Sequence, residues 1–221
     1  MNRRIPLLIF GLVGTAILMS LGFWQLQRMT WKADILAEID ARLAEPPVAL
    51  PLNPDPVADK YLQVEVTGRI GDGELHVLTF GDGGPGFRVI APMVLEDGYR
   101  ILVDRGFLPE GEKDVVRAGG EITAVGSLVW PQETDKYVPD PNREKNIWFA
   151  RDVKLMAETL ETDQVMLAIA RSTNNDGITP QRVSINISNR HLEYVMTWFS
   201  LAAIWIGMTG YALWRIKPKT S

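Results

Sequence analysis

The stretch VMTWFSLAAIWIGMTGYALW, Val195 to Trp214, runs for 20 residues without a charge. A helix rises about 1.5 Å per residue, so this run reaches across a hydrocarbon core of about 30 Å. A second uncharged run, IPLLIFGLVGTAILMSLGFWQL from Ile5 to Leu26, stands near the other end. In lipid a lone segment must satisfy its own backbone polar groups, and a helix does so. The first run has the basic start of a signal peptide, but its apolar part is too long and no Ala-x-Ala site follows, so a retained anchor is expected. The two runs are read as transmembrane helices at residues 5–27 and 195–214.

Charge is divided along the same lines. All 27 acidic residues fall between Asp34 and Glu193, whereas Arg3, Arg4, Arg215, Lys217 and Lys219 lie outside the two runs. From Arg28 to Glu193 the chain holds 18 basic and 27 acidic residues, a balance of −9. An acidic middle repels phosphate, so nucleic acid is not an expected partner, while the lipid bilayer is. Basic flanks put residues 1–4 and 215–221 in the cytoplasm, or in the matrix of a mitochondrion. Residues 28–194 are then exported as one domain, since long loops are translocated largely regardless of charge. The expected location is the bacterial plasma (inner) membrane, crossed twice with both termini cytoplasmic, or the mitochondrial inner membrane in a eukaryote. Small residues four apart, Ala16 with Ser20 and Ala203 with Gly207, let the spans pack as an antiparallel pair.

Beyond the first span, Trp31, Ile35, Ile39 and Leu43 recur every four residues, which predicts an amphipathic helix halted at Pro46-Pro47. Strand-like runs follow at Leu62–Thr67, Glu74–Phe80, Phe87–Leu95, Tyr99–Phe107 and Ile122–Trp130, with Asp97-Gly98 as a tight hairpin turn. Asn146–Ala150 and Val165–Ala170 read as further strands and Val153–Leu160 as a short helix. The fold class is thus a membrane protein: two transmembrane α-helices flanking an exported, mainly antiparallel β domain, a small barrel-like sheet with one or two helices.

Much chemistry is missing from this chain. There are no cysteines and only two histidines, His76 and His191, so thiolate chemistry and a three-His metal site within one chain are excluded. Gly81-Asp82-Gly83-Gly84-Pro85-Gly86 lacks the Gly-Lys-Ser/Thr ending of a phosphate loop and reads as a hairpin. No Gly-x-Ser-x-Gly elbow is present and no pair of acids stands out, so no catalytic residue is assigned and a protein that is not an enzyme is expected.

His191 draws attention. If the second helix starts slightly early, Tyr194, Val195, Trp198, Ala202 and Trp205 share its face at spacings of three and four. An imidazole above flat aromatic surface suits an amphiphilic planar ligand such as haem, whose iron commonly takes a His axial ligand. Propionates would seek Arg28, Arg190 or Lys32 at the same level. The competing reading is an interfacial His that merely solvates at the headgroup level, among aromatic residues that belong there anyway.

Three segments carry a resemblance. Asn189-Arg190-His191-Leu192-Glu193-Tyr194 with the following Val195–Ala202 resembles the C-terminal signature of the Surfeit locus protein 1 (Shy) family of cytochrome c oxidase assembly factors. Leu21-Gly22-Phe23-Trp24-Gln25-Leu26-Gln27-Arg28 resembles the family's first-span exit. Gly86–Pro92 and Leu102-Val103-Asp104-Arg105-Gly106-Phe107-Leu108-Pro109 resemble its central motif, with Asp104 and Phe107 standing where Asn and Trp are expected. The resemblance implies a chaperone-like factor that binds haem a, with His191 as the iron ligand; the residues that the helix face and charge pattern place around it are Tyr194, Trp198, Arg190 and Arg28. It implies haem-copper oxidase subunit I and the haem-a synthase as partners; a homo-oligomer could supply a second His191. The alternative is a cofactor-free scaffold that holds an early subunit I intermediate.

Overall fold

The computed structural model describes residues 4–81, 84–117, 119–174, 176–183 and 191–216. They form two compact units, one from residues 1–38 with 185–221 and one from 39–184.

The helical unit rests on helix α1, Arg4–Ala44, and helix α3, His191–Arg215. Both are long and apolar enough to cross a membrane. They pack antiparallel. Arg4 donates to the carbonyl of Ile216, the Trp205 indole donates to the carbonyl of Gly11 at 3.1 Å, and Gln25 meets His191. On α3 the less exposed positions include His191, Val195, Trp198, Ala202, Trp205 and Thr209, spaced by four and three as in a coiled-coil seam. Large rings on α3 need room opposite, and glycines supply it. A Cβ at Gly14 would lie 2.4 Å from the Trp205 indole, one at Gly22 2.7 Å from the Phe199 ring, and one at Gly11 2.2 Å from Thr209.

The small-residue pairs expected at this interface do not form it. Ala16, Ser20, Ala203 and Gly207 are exposed, and nothing lies within 4 Å of a Cβ built on Gly207. Spacings of four occur on more than one face of each helix. What selects the seam is the match of glycine to indole or phenyl ring, which such spacing alone does not encode.

The second unit is built on seven strands: β1 (Val48–Ala49), β2 (Gln63–Ile70), β3 (Leu75–Gly81), β4 (Gly84–Leu95), β5 (Arg100–Pro109), β6 (Glu121–Val129) and β7 (Met166–Ser172). Their order is β1-β2-β6-β7-β5-β4-β3, with β2 also touching β4. Two pairings, β1 with β2 and β5 with β7, are parallel; the rest are antiparallel. Five of the seven pairings are antiparallel, as the expected mainly antiparallel domain requires, but the expected small barrel is corrected to a mixed sheet. It meets itself only where Gly68–Ile70 pair with Met93–Leu95, three residues from each strand, which does not make a clear barrel.

Helix α2, Val153–Leu160, is where the sequence put it. Asp152 caps its start, accepting from the Leu155 N–H at 3.0 Å, and Glu161 ends it in the left-handed region. Eight of ten residues of β5 are buried, because the strand has apolar cover on both faces. Ile101 and Val103 join Val64, Met93 and Leu167 in one core; Leu102 joins Trp148, Met156 and Met166 in another, beside α2. Asp97-Gly98 does turn β4 into β5, with Gly98 at φ +85°. The Gly-rich segment joins β3 to β4, Gly81 pairing with Gly84, and its Asp82 and Gly83 lie outside the described residues. Asn146–Ala150 contributes isolated bridges in place of the expected strand, Trp148 bonding alongside Val77.

One irregularity organises the centre. The β4–β5 register shifts so that Val89 faces Gly106 while Ile90 faces Asp104, leaving Arg105 as an extra residue. Gly106 sits at φ +115°, and a Cβ there would fall 2.1 Å from the Thr179 carbonyl oxygen. Backbone strain and overlap act together, so Gly106→Ala should cost about 3 kcal/mol or more. Urea unfolding of the full chain in detergent checks this; an unchanged midpoint would contradict it.

Candidate functional site

In the helical unit, His191 and Gln25 lie 2.8 Å apart, Nδ1 to Oε1. The side-chain amide oxygen is an acceptor only, so Nδ1 is the donor and Nε2 keeps its lone pair. That Nε2 is buried and has no hydrogen-bond partner, and the Trp198 indole nitrogen, two turns further along α3, is buried without one as well. An imidazole oriented through one nitrogen and bare at the other is equipped to ligate a metal or to accept a hydrogen bond. Arg28 and Lys32 are close enough to act electrostatically on it, and the Arg28 guanidinium lies 4.7 Å from the centre of the Trp31 ring.

The other residues expected around His191 fare differently. Trp198 lies on the same seam, half-buried. Tyr194 does not: it is 53% exposed and faces away from the seam that His191, Val195 and Ala202 occupy. Arg190 lies outside the described residues. Gln25, which in the sequence stands only within the segment that resembles the family's first-span exit, hydrogen-bonds the imidazole. The signal available for it was its place on the repeat Gly11, Leu18, Gly22, Gln25, the one amide among the inward positions of the first uncharged run.

In the sheet unit, the Asp104-Arg105-Gly106 segment holds a buried ionic network. Asp104, 1% exposed, accepts from Arg88 at 2.8 Å and from Arg151 at 3.1 Å. Arg151, just ahead of α2, also grips Glu133 through its guanidinium, and its backbone N–H donates to the same carboxylate at 3.0 Å. The extra residue Arg105 is turned instead toward Asp176 and Glu74. Glu74 accepts from Arg117 at 2.9 Å and meets His76 Nε2 at 2.9 Å. His76 is 5% exposed and packs 5.5 Å from the Phe87 ring.

Burial pushes the Glu74 carboxyl pKa up, but the hydrogen bond to His76 and the charges of Arg117 and Arg105 outweigh it and hold the carboxyl below its ordinary range. Burial likewise acts against Glu133, and the Arg151 bonds override it in the same sense. Among the described residues of the network, Arg117 Nε is the buried side-chain nitrogen without a partner, and as an N–H of a guanidinium it offers no lone pair. Its evident work is to lock β3, β4, β5 and the start of α2 together.

The chain matches the SURF1 family over residues 12–203. It is 29% identical to Surfeit locus protein 1 of Rattus norvegicus over 208 residues, 83% of this chain and 68% of the rat protein. It is 31% identical to a SURF1-like protein of Monosiga brevicollis over 231 aligned residues, covering 92% of this chain and 83% of that one. A SURF1-like protein of Rickettsia felis is 30% identical over 206 residues, 86% of this chain and 89% of the relative. The chain belongs to the SURF1 family, generally known as cytochrome c oxidase assembly factors.

Two predictions follow from the network. Asp104→Asn removes the ion-pair partner of Arg88 and leaves Arg151 with Glu133 alone, and should cost about 3 kcal/mol, read as a shift of the urea midpoint. A carboxyl held low in the folded state adds stability that is whole above its unfolded range and is lost as the pH falls through the folded value. Acid should therefore loosen the sheet unit, and Glu133→Gln should flatten that acid limb in unfolding curves taken from neutral pH downward.

Proposed function

We propose that this protein is a non-catalytic, membrane-spanning assembly factor that takes up haem a and passes it to subunit I of a haem-copper oxidase. Helices α1 and α3 cross the bilayer, with both chain ends on the cytoplasmic side and the sheet unit outside, as the distribution of Lys and Arg favours. Haem a is cargo here, received from its synthase.

The observation that carries the reading is the bare, buried Nε2 of an imidazole whose other nitrogen is held by an amide oxygen. A porphyrin iron accepts such a nitrogen as an axial ligand. Arg28 and Lys32 supply cations for two propionates, and exposed apolar helix surface at Trp24 and Trp31 offers a boundary for the macrocycle. Because Nε2 is covered in the seam, uptake requires the two helices to part locally at this end. A ligand site that opens only on demand suits a carrier that must also give its cargo away.

The same burial favours a second reading, in which the protein is a cofactor-free scaffold for an early subunit I intermediate and His191 is a seam residue. Absorption spectra separate the two. Protein purified from cells that make haem a should show a Soret band, lost at least tenfold in His191→Ala while the variant still inserts in the membrane. A colourless wild type that still co-purifies with subunit I would favour the scaffold.

A further inference from the structure

We propose that Gln25 is the positioning residue for His191: its amide oxygen holds the proton on Nδ1 and thereby presents Nε2 as the lone-pair nitrogen. This rests on the reading of His191 as an iron ligand, and extends it to a residue 166 positions away.

Gln25 is 9% exposed, in a part of α1 otherwise inward-facing through Gly11, Leu18 and Gly22. A buried amide is costly unless it is bonded, so its presence in an apolar seam calls for a partner. The partner is one nitrogen of one imidazole, at 2.8 Å. Gly22, one turn earlier on α1, lets the Phe199 ring approach to within 2.7 Å of where its Cβ would be, which brings the helices close enough for that bond. Metal-bound histidines commonly donate their second N–H to a carbonyl or carboxylate, which fixes the tautomer and raises the basicity of the ligating nitrogen. The geometry here already has that form: acceptor, Nδ1–H, bare Nε2. Without the acceptor, nothing among the described residues would hold the proton on Nδ1.

The position makes a graded series available. Gln25→Glu keeps the shape and strengthens the acceptor; Gln25→Leu keeps the bulk and removes it. Full-length protein in detergent is titrated with haem a, and the reduction potential of the bound form is measured. Gln25→Leu should weaken binding about 10- to 100-fold and raise the potential, while Gln25→Glu should bind at least as tightly as wild type and lower it. In parallel, nitrogen-15 NMR of the haem-free protein reads the tautomer of His191, with His76 the one other histidine to assign. Wild type and Gln25→Glu should carry the proton on Nδ1, and Gln25→Leu should not.

The arms keep two failures apart. Haem a that fails to bind wild type overturns the cargo reading, and the tautomer measurement then decides Gln25 alone. Haem a that binds through His191, with tautomer and potential unmoved in Gln25→Leu, reduces Gln25 to a packing residue and overturns this inference.

Discussion

The bond between Gln25 and His191 ties two helices together through residues 166 positions apart in the sequence. Everything in the helical unit is arranged so that it can form. Glycines at 11, 14 and 22 remove side chains where Thr209, Trp205 and Phe199 arrive, and the helices approach to the distance a single amide can span. Two apolar helices gain little from avoiding lipid when they associate in it, so close packing and a few polar contacts must hold them. The Trp205 indole on the Gly11 carbonyl and Arg4 on the Ile216 carbonyl are further such contacts among the described residues, one mid-helix and one at the far end.

Polar groups in the two units serve different ends. In the sheet unit the charges compensate one another: Asp104 and Glu133 with Arg88 and Arg151, Glu74 and Asp176 with Arg105 and Arg117. Paired in this way they fix the bulge at Arg105-Gly106 and the strands around it, and a mixed sheet with both faces of β5 covered gains rigidity from them. Buried nitrogens without a partner occur in both units, Arg100 Nε and Arg117 Nε in the sheet unit and Arg4 Nε, His191 Nε2 and Trp198 Nε1 in the helical one, but of these the imidazole Nε2 alone carries a lone pair. Incomplete satisfaction in a buried seam is the condition under which a ligand has something to gain by entering.

How far the sequence reaches depends on which kind of information a feature needs. Charge-free length gave both long helices, strand-like runs gave six strands within a few residues, and Val153–Leu160 gave α2. Those are local properties. The parallel pairing of β5 with β7 was not legible, because alternation reports burial and not strand direction. Nor was the partial closure through Gly68–Ile70, which depends on a pairing between strands already paired elsewhere. His191 was legible as a lone imidazole on an apolar face. Gln25 was not, since its meaning lies in the register between two distant helices, and Tyr194 was placed on the inner face because one residue of helical phase moves a side chain by about 100°.

The antiparallel register of α1 and α3 in the membrane is the claim on which the rest stands, and the absence of cysteine from the chain gives a clean background for testing it. Cysteines placed at 25 and 191 should join as a disulfide on mild oxidation in native membranes, while a mismatched pair at 25 and 209 should stay reduced. Equal joining of both pairs, or none at 25 and 191, would contradict the register and with it the site built upon it.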